Sequence, residues 1–82
     1  MSKDGQVSRA KEDLARALKI DPSQITVKSV AATQWPDASL GLRKNGRSFA
    51  MIMVDGYIIE LEHGGRTYRY HSDEDSRVER AG

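Results

Sequence analysis

The chain has no cysteine. That excludes a disulfide framework, a thiolate metal site and a cysteine nucleophile, and it suits a reducing compartment. No stretch approaches the roughly 20 apolar residues that a membrane helix needs. The opening residues MSKDGQVSRAKEDL lack the apolar core of a signal peptide, so a cytoplasmic protein without membrane contact is expected. Neither sign of charge prevails. Thirteen basic against twelve acidic side chains leave +1, which supplies no long-range field to draw in nucleic acid or a membrane surface. Repeats and dividing linkers are missing too. The 82 residues therefore make one domain, 1–82, near the lower end of what folds without staples, with 1–6 and 74–82 expected to fray.

What is present begins with a helix. In residues 7–20, VSRAKEDLARALKI, the apolar residues Val7, Ala10, Leu14, Ala17 and Leu18 recur at helical spacing along one stripe. Glu12 with Arg16, and Arg9 with Asp13, are i, i+4 pairs of opposite charge. Asp21-Pro22 stops the helix, because proline disfavours the α conformation in the residue before it. The step DPSQ then reads as one capped turn.

From Ile25 the pattern is that of strands, with β-branched residues in ITVKSVAAT. Three dipeptides, Asn45-Gly46, Asp55-Gly56 and Gly64-Gly65, suit tight hairpins, whose central residues need positive φ. Taken together they set one register. Leu42 faces Phe49 and Leu40 faces Met51. Val54 faces Tyr57, Ile52 faces Ile59 and Ala50 faces Leu61. Beyond the last turn Leu61 faces Tyr68, Ile59 faces Tyr70 and Glu60 faces Arg69. The expected fold is α+β: an N-terminal amphipathic helix packed on an antiparallel meander of four to five strands.

Period two sorts this meander into faces. The first carries Ala50, Ile52, Val54, Tyr57, Ile59, Leu61, Tyr68 and Tyr70, and the helix stripe covers it. The second carries Leu40, Leu42, Phe49, Met51, Met53 and Ile58 before turning polar at Glu60, Glu62, Thr67 and Arg69. An apolar patch of that kind needs cover, either from residues 25–35 folding back or from another molecule. The tail SDEDSRVERAG reads as a short helix capped by Ser72, or as a frayed end.

The series WPDASLG, VDGYIIELEHGG and YRYHSD resembles a family of small bacterial domains with the patterns Trp-Pro-Asp-x-Ser-Leu-Gly, Gly-Tyr-x-Ile-x-Leu and Tyr-x-Tyr-His. The resemblance spans residues 11–73 and implies no established activity. Many such relatives are exported and carry Cys-Pro after the glycine. This chain has Leu42-Arg43 there and no cysteine, so neither export nor a stapled loop is implied.

Candidate functional residues fall into five groups. Trp35 and Asp37 belong to a corner in which Pro36 extends Trp35, Asp37 accepts backbone N–H groups and Gly41 permits positive φ. Trp35 is expected to plug the core with its indole N–H on a carbonyl, or else to offer a flat anchor at a rim. Asp37, Ser39, His63 and His71 include the residue types of a hydrolytic triad, but no nucleophile-elbow pattern accompanies them and no enzyme activity is expected. His71, Asp73 and Asp75 match no zinc or calcium spacing, so neither metal nor cofactor is expected. Arg43, Lys44 and Arg47 form a basic hairpin tip, residues 43–47, whose alternative function is to bind an anion, a small ligand or nucleic acid, although no aromatic platform accompanies it. The leading expectation is a non-enzymatic module whose second face forms a homodimer or binds a protein or peptide, with Leu40, Leu42, Phe49, Met51, Met53 and Ile58 as its interface.

Overall fold

A computed structural model of the chain describes residues 2–36, 39–41, 52–75 and 77–81. In chain order it holds helix α1 (Ser2–Leu18), a single 3₁₀ turn (Pro22–Gln24) and strands β1 (Thr26–Trp35), β2 (Val54–His63), β3 (Arg66–Asp73) and β4 (Val78–Arg80). The strands form one antiparallel sheet in the order β1-β2-β3-β4, and α1 lies across one face. This is the expected α+β class, reached with a different set of strands.

The helix starts at Ser2, earlier than the apolar stripe suggests. Ala10 and Leu14 are fully buried, and Val7 and Leu18 pack partly against the core. Ala17, expected inward, is exposed, and Ala15 is buried instead. The buried row is an i, i+4 line from Gln6 through Ala10 to Leu14 that turns at its end towards Ala15 and Leu18. Lys19 adopts φ 58°, and the Ile20 N–H reaches back to the Ala15 carbonyl at 3.0 Å. That six-residue closure, with Ile20 folded onto the core, ends the helix before the proline is reached. Asp21 caps the next turn. Its Oδ1 accepts the Ser23 N–H at 2.8 Å, and this bond holds the carboxyl below the usual carboxylate range.

Gly64 and Gly65, at φ 60° and 80°, make the tight turn between β2 and β3. The pairs Leu61–Tyr68, Ile59–Tyr70 and Glu60–Arg69 stand as their spacing implies. Asp55-Gly56 is no turn. Both residues lie inside β2, whose partner is β1: Trp35 pairs with Val54, Thr33 with Gly56, Ala32 with Tyr57 and Val30 with Ile59. The ten-residue β1 offers a longer ladder than any local hairpin at Asp55 could. The expected pairing of Ile52 with Ile59 and Val54 with Tyr57 is therefore overturned. Val54 moves to the face opposite Tyr57, because β2 runs straight through. Residues 25–35 are thus neither a cover for the second face nor separate from the sheet, since they supply its first strand. The Asn45-Gly46 turn lies outside the described residues. The tail is strand as well: Val78–Arg80 pairs with β3, and Ser72, expected as a helix cap, is a buried residue of β3.

Ile59, Leu61 and Tyr70 are fully buried against Ala10, Leu14, Ala15 and Ile25. Each large apolar side chain so placed contributes about 1.5–3 kcal/mol. The Tyr70 hydroxyl donates to Asp13 Oδ2 at 2.7 Å, so Asp13 serves the core and not a surface pair with Arg9. Burial, reinforced by that carboxylate, raises the phenol well above its ordinary value near 10. Below that pH the phenol is neutral in folded and unfolded chains alike, and its contribution is intact. Above it the unfolded chain releases the proton first, so stability falls by up to about 1.4 kcal/mol per pH unit. In denaturant titrations between about pH 9 and 11, Tyr70→Phe should flatten this part of the slope. An unchanged slope would show that other groups set it.

Gln6 is fully buried and ties the helix to the β3–β4 connection. Its Nε2 donates to the Asp73 carbonyl at 2.8 Å, to Asp73 Oδ1 at 3.0 Å and to the Arg77 carbonyl at 3.1 Å. Its Oε1 accepts from Arg9 Nη1 at 3.1 Å. Asp73 Oδ1 also accepts the backbone N–H groups of Asp75 and Arg77, which shapes the turn. Gln6→Leu keeps the volume but removes the buried amide that the Asp73 and Arg77 carbonyls and Arg9 bond to, and should cost about 2 kcal/mol in urea unfolding. A loss below about half that value would mean water replaces the amide.

Candidate functional site

The second face has two parts. One is built by Trp35 and residues 39–41. Trp35 ends β1 on this face, buried, and its indole N–H donates to the Ser72 carbonyl at 2.9 Å. To reach that carbonyl the indole passes over Gly56. A Cβ there would lie 1.8 Å from the Ser72 oxygen and 2.8 Å from the indole nitrogen, so only glycine fits.

The chain then folds back over the tryptophan. Ser39 and Leu40 are both 1% exposed. Leu40 adopts φ 56° and Gly41 φ 76°, a sharp left-handed step. A leucine in that region costs about 1–2 kcal/mol. Full burial of its side chain offsets that strain. Gly41 sits against the six-membered ring of Trp35, with its ideal Cβ position 2.9 Å from Cζ3. His71 completes the layer, its ring stacked on Trp35 with centroids 4.5 Å apart and planes at 27°. His71 Nδ1 is 2.8 Å from the Leu40 carbonyl. A carbonyl only accepts, so Nδ1 carries the hydrogen.

The other part is polar. Glu60 accepts from Ser29 Oγ at 3.0 Å and from Arg69 Nη2 at 3.1 Å. These donors, Arg69 foremost, hold the Glu60 carboxyl below its ordinary range. Lys28 Nζ reaches Thr67 Oγ1 at 3.2 Å. Beside them Glu60, Thr67, Arg69 and Ala81 line a shallow open hollow of about 220 Å³.

Of the expected interface, Leu40, Met53 and Ile58 are among the described residues. Leu40 is buried, Ile58 is half-buried and Met53 is 62% exposed, while Leu42, Phe49 and Met51 lie outside the described residues. Asp37, Arg43, Lys44 and Arg47 lie outside them too. Ser39 and His71 share the Trp35 end of the sheet. His63, with Nδ1 3.1 Å from the Gln24 carbonyl, lies beside the Gly64–Gly65 turn at the other end. Among the described residues no three histidine, aspartate or glutamate side chains are grouped so as to hold a metal. Asp73 is engaged by Gln6 and backbone N–H groups.

Two features escape sequence reasoning. Gln6 is a polar letter outside the apolar stripe, although its place four residues before Ala10 continues the buried row. The other is the outer edge of β1, visible only once β1 is known to end the sheet.

Helix and sheet define a small α+β domain whose Trp35, Leu40 and Gly41 are packed together at one end of its sheet. The family model described as a domain of unknown function, DUF8738, matches residues 7–80, and the chain belongs to that family. No curated protein and no solved structure matches it.

Proposed function

We propose that this chain is a non-enzymatic interaction module that takes an extended segment of a protein partner onto the outer edge of β1. The observation that carries this reading is the condition of that edge. β1 is a ten-residue terminal strand whose residues are exposed at most positions, and among the described residues nothing pairs with its outer side. Long edges present a row of backbone donors and acceptors that a second strand can satisfy, and proteins ordinarily guard them. The second edge is guarded: β4 has only three residues and lies against α1. Among the described residues three large apolar ones are exposed, Val27 at 37%, Ile52 at 58% and Met53 at 62%, and they flank the two ends of β1. They would add apolar area to a backbone-led contact. The packed Trp35–His71 layer supports this shift of the binding surface from face to edge.

Selection from a random peptide library tests the reading. Bound peptides should be strand-forming sequences that slow hydrogen exchange at alternate amides of residues 26–35. Binders that leave those amides exchanging as before would move the site elsewhere.

A further inference from the structure

We infer that the segment β1 receives is β1 of a second copy, paired antiparallel about a two-fold axis through Ala31; this rests on the edge reading above. The first argument is where the polar side chains of β1 go. Lys28, its only charged residue, turns its ammonium inward to Thr67 on β3. Ser29 bonds Glu60 and Gln34 Nε2 bonds Asp55 Oδ1 at 3.0 Å, both on β2. The side chains able to guard the edge are thus tied down over the sheet. The middle of the strand is Val30, Ala31, Ala32 and Thr33, small and uncharged. An edge with no charge to match selects a neutral, small-residue strand, and β1 is itself such a strand.

The second argument is register. A two-fold normal to the sheet keeps each face on its own side, and paired residues must share a face. The axis must therefore pass through a residue, not between two. Through Ala31 it sets Ser29 opposite Thr33 and Val30 opposite Ala32. Hydroxyl meets hydroxyl, apolar meets apolar, and no like charges meet. The bulge between Val27 and Ser29 ends the regular ladder near Lys28, beyond this central span. The same axis brings the Val27 end of each copy alongside the Trp35 end of the other, where Ile52 and Met53 are exposed. The product is a continuous eight-stranded sheet with both helices on one face.

Light scattering behind size exclusion, over a hundredfold concentration range, is the test, with residue-resolved amide exchange on the same samples. The expected result is a concentration-dependent dimer that protects alternate amides of β1. Ala31→Lys and Ala31→Glu, each at an exposed position, should weaken self-association about fivefold or more. An equimolar mixture of the two variants should restore a heterodimer, which a folding defect could not do. A monomer whose outward β1 amides exchange freely overturns self-pairing and leaves the edge open to another protein segment. A monomer with every β1 amide protected overturns both readings. A dimer indifferent to the Ala31 variants overturns self-pairing too, and overturns the edge reading as well only if every β1 amide is protected in those variants.

Discussion

Gly56→Ala should cost about 3–5 kcal/mol, a large part of the whole stability of a domain this size. The methyl group would lie 1.8 Å from the Ser72 carbonyl oxygen. That oxygen belongs to the β3 backbone and also accepts the indole N–H of Trp35, so no flexible side chain can yield. Either β2 and β3 separate there or the tryptophan leaves. Chemical denaturation of the variant beside Gly65→Ala makes the comparison. Gly65 has φ 80° and nothing within 4 Å of its ideal Cβ, so its alanine variant carries backbone strain alone, about 1–2 kcal/mol. Equal losses at the two positions would refute the close approach at Gly56.

Trp35→Ala should be comparably severe, about 3–5 kcal/mol, because it removes the ring that Gly41 and His71 pack against and leaves the Ser72 carbonyl without its donor. Trp35→Phe separates these contributions. It keeps an aromatic face for His71 and loses the N–H, so about 1 kcal/mol is expected. Trp35 is the chain's only tryptophan, so its fluorescence follows this corner directly. Emission in the native protein should lie to the blue of the unfolded chain, and a free indole spectrum would contradict the burial. A Phe variant as damaged as the Ala variant would mean that the indole hydrogen bond, not the stack, holds the corner.

The two glycine dipeptides show what was legible. Gly64-Gly65 reads correctly because the structure uses both glycines for positive φ, the property that marks a tight turn. Asp55-Gly56 carries the same local signal for another reason: Gly56 is glycine because an indole crosses it, and that indole arrives from twenty-one residues away along the chain. Local patterning cannot tell the two uses apart, and the error carried the faces with it by moving Val54. The core side of the sheet survived, since Tyr57, Ile59, Leu61, Tyr68 and Tyr70 depend only on the Gly64-Gly65 register. Pro36 and Gly41 were readable as a corner. The stacking partner was not, because placing His71 under Trp35 requires knowing that β1 pairs with β2 and β2 with β3. Gln6 stayed hidden for a third reason: a buried amide defined by carbonyls 67 and 71 residues away leaves no local trace.

That amide has a consequence for how the domain can be joined to other things. By holding the start of α1 against the β3–β4 turn, Gln6 gathers both ends of the described chain at the β4 side of the sheet, with β1 on the opposite side. A tag, a linker or a neighbouring domain fused at either end would leave from the same side and point away from β1. Surface immobilisation through either terminus should therefore present β1 to solution in the same orientation, and a short bridge between the two ends should yield a circular permutant that still folds.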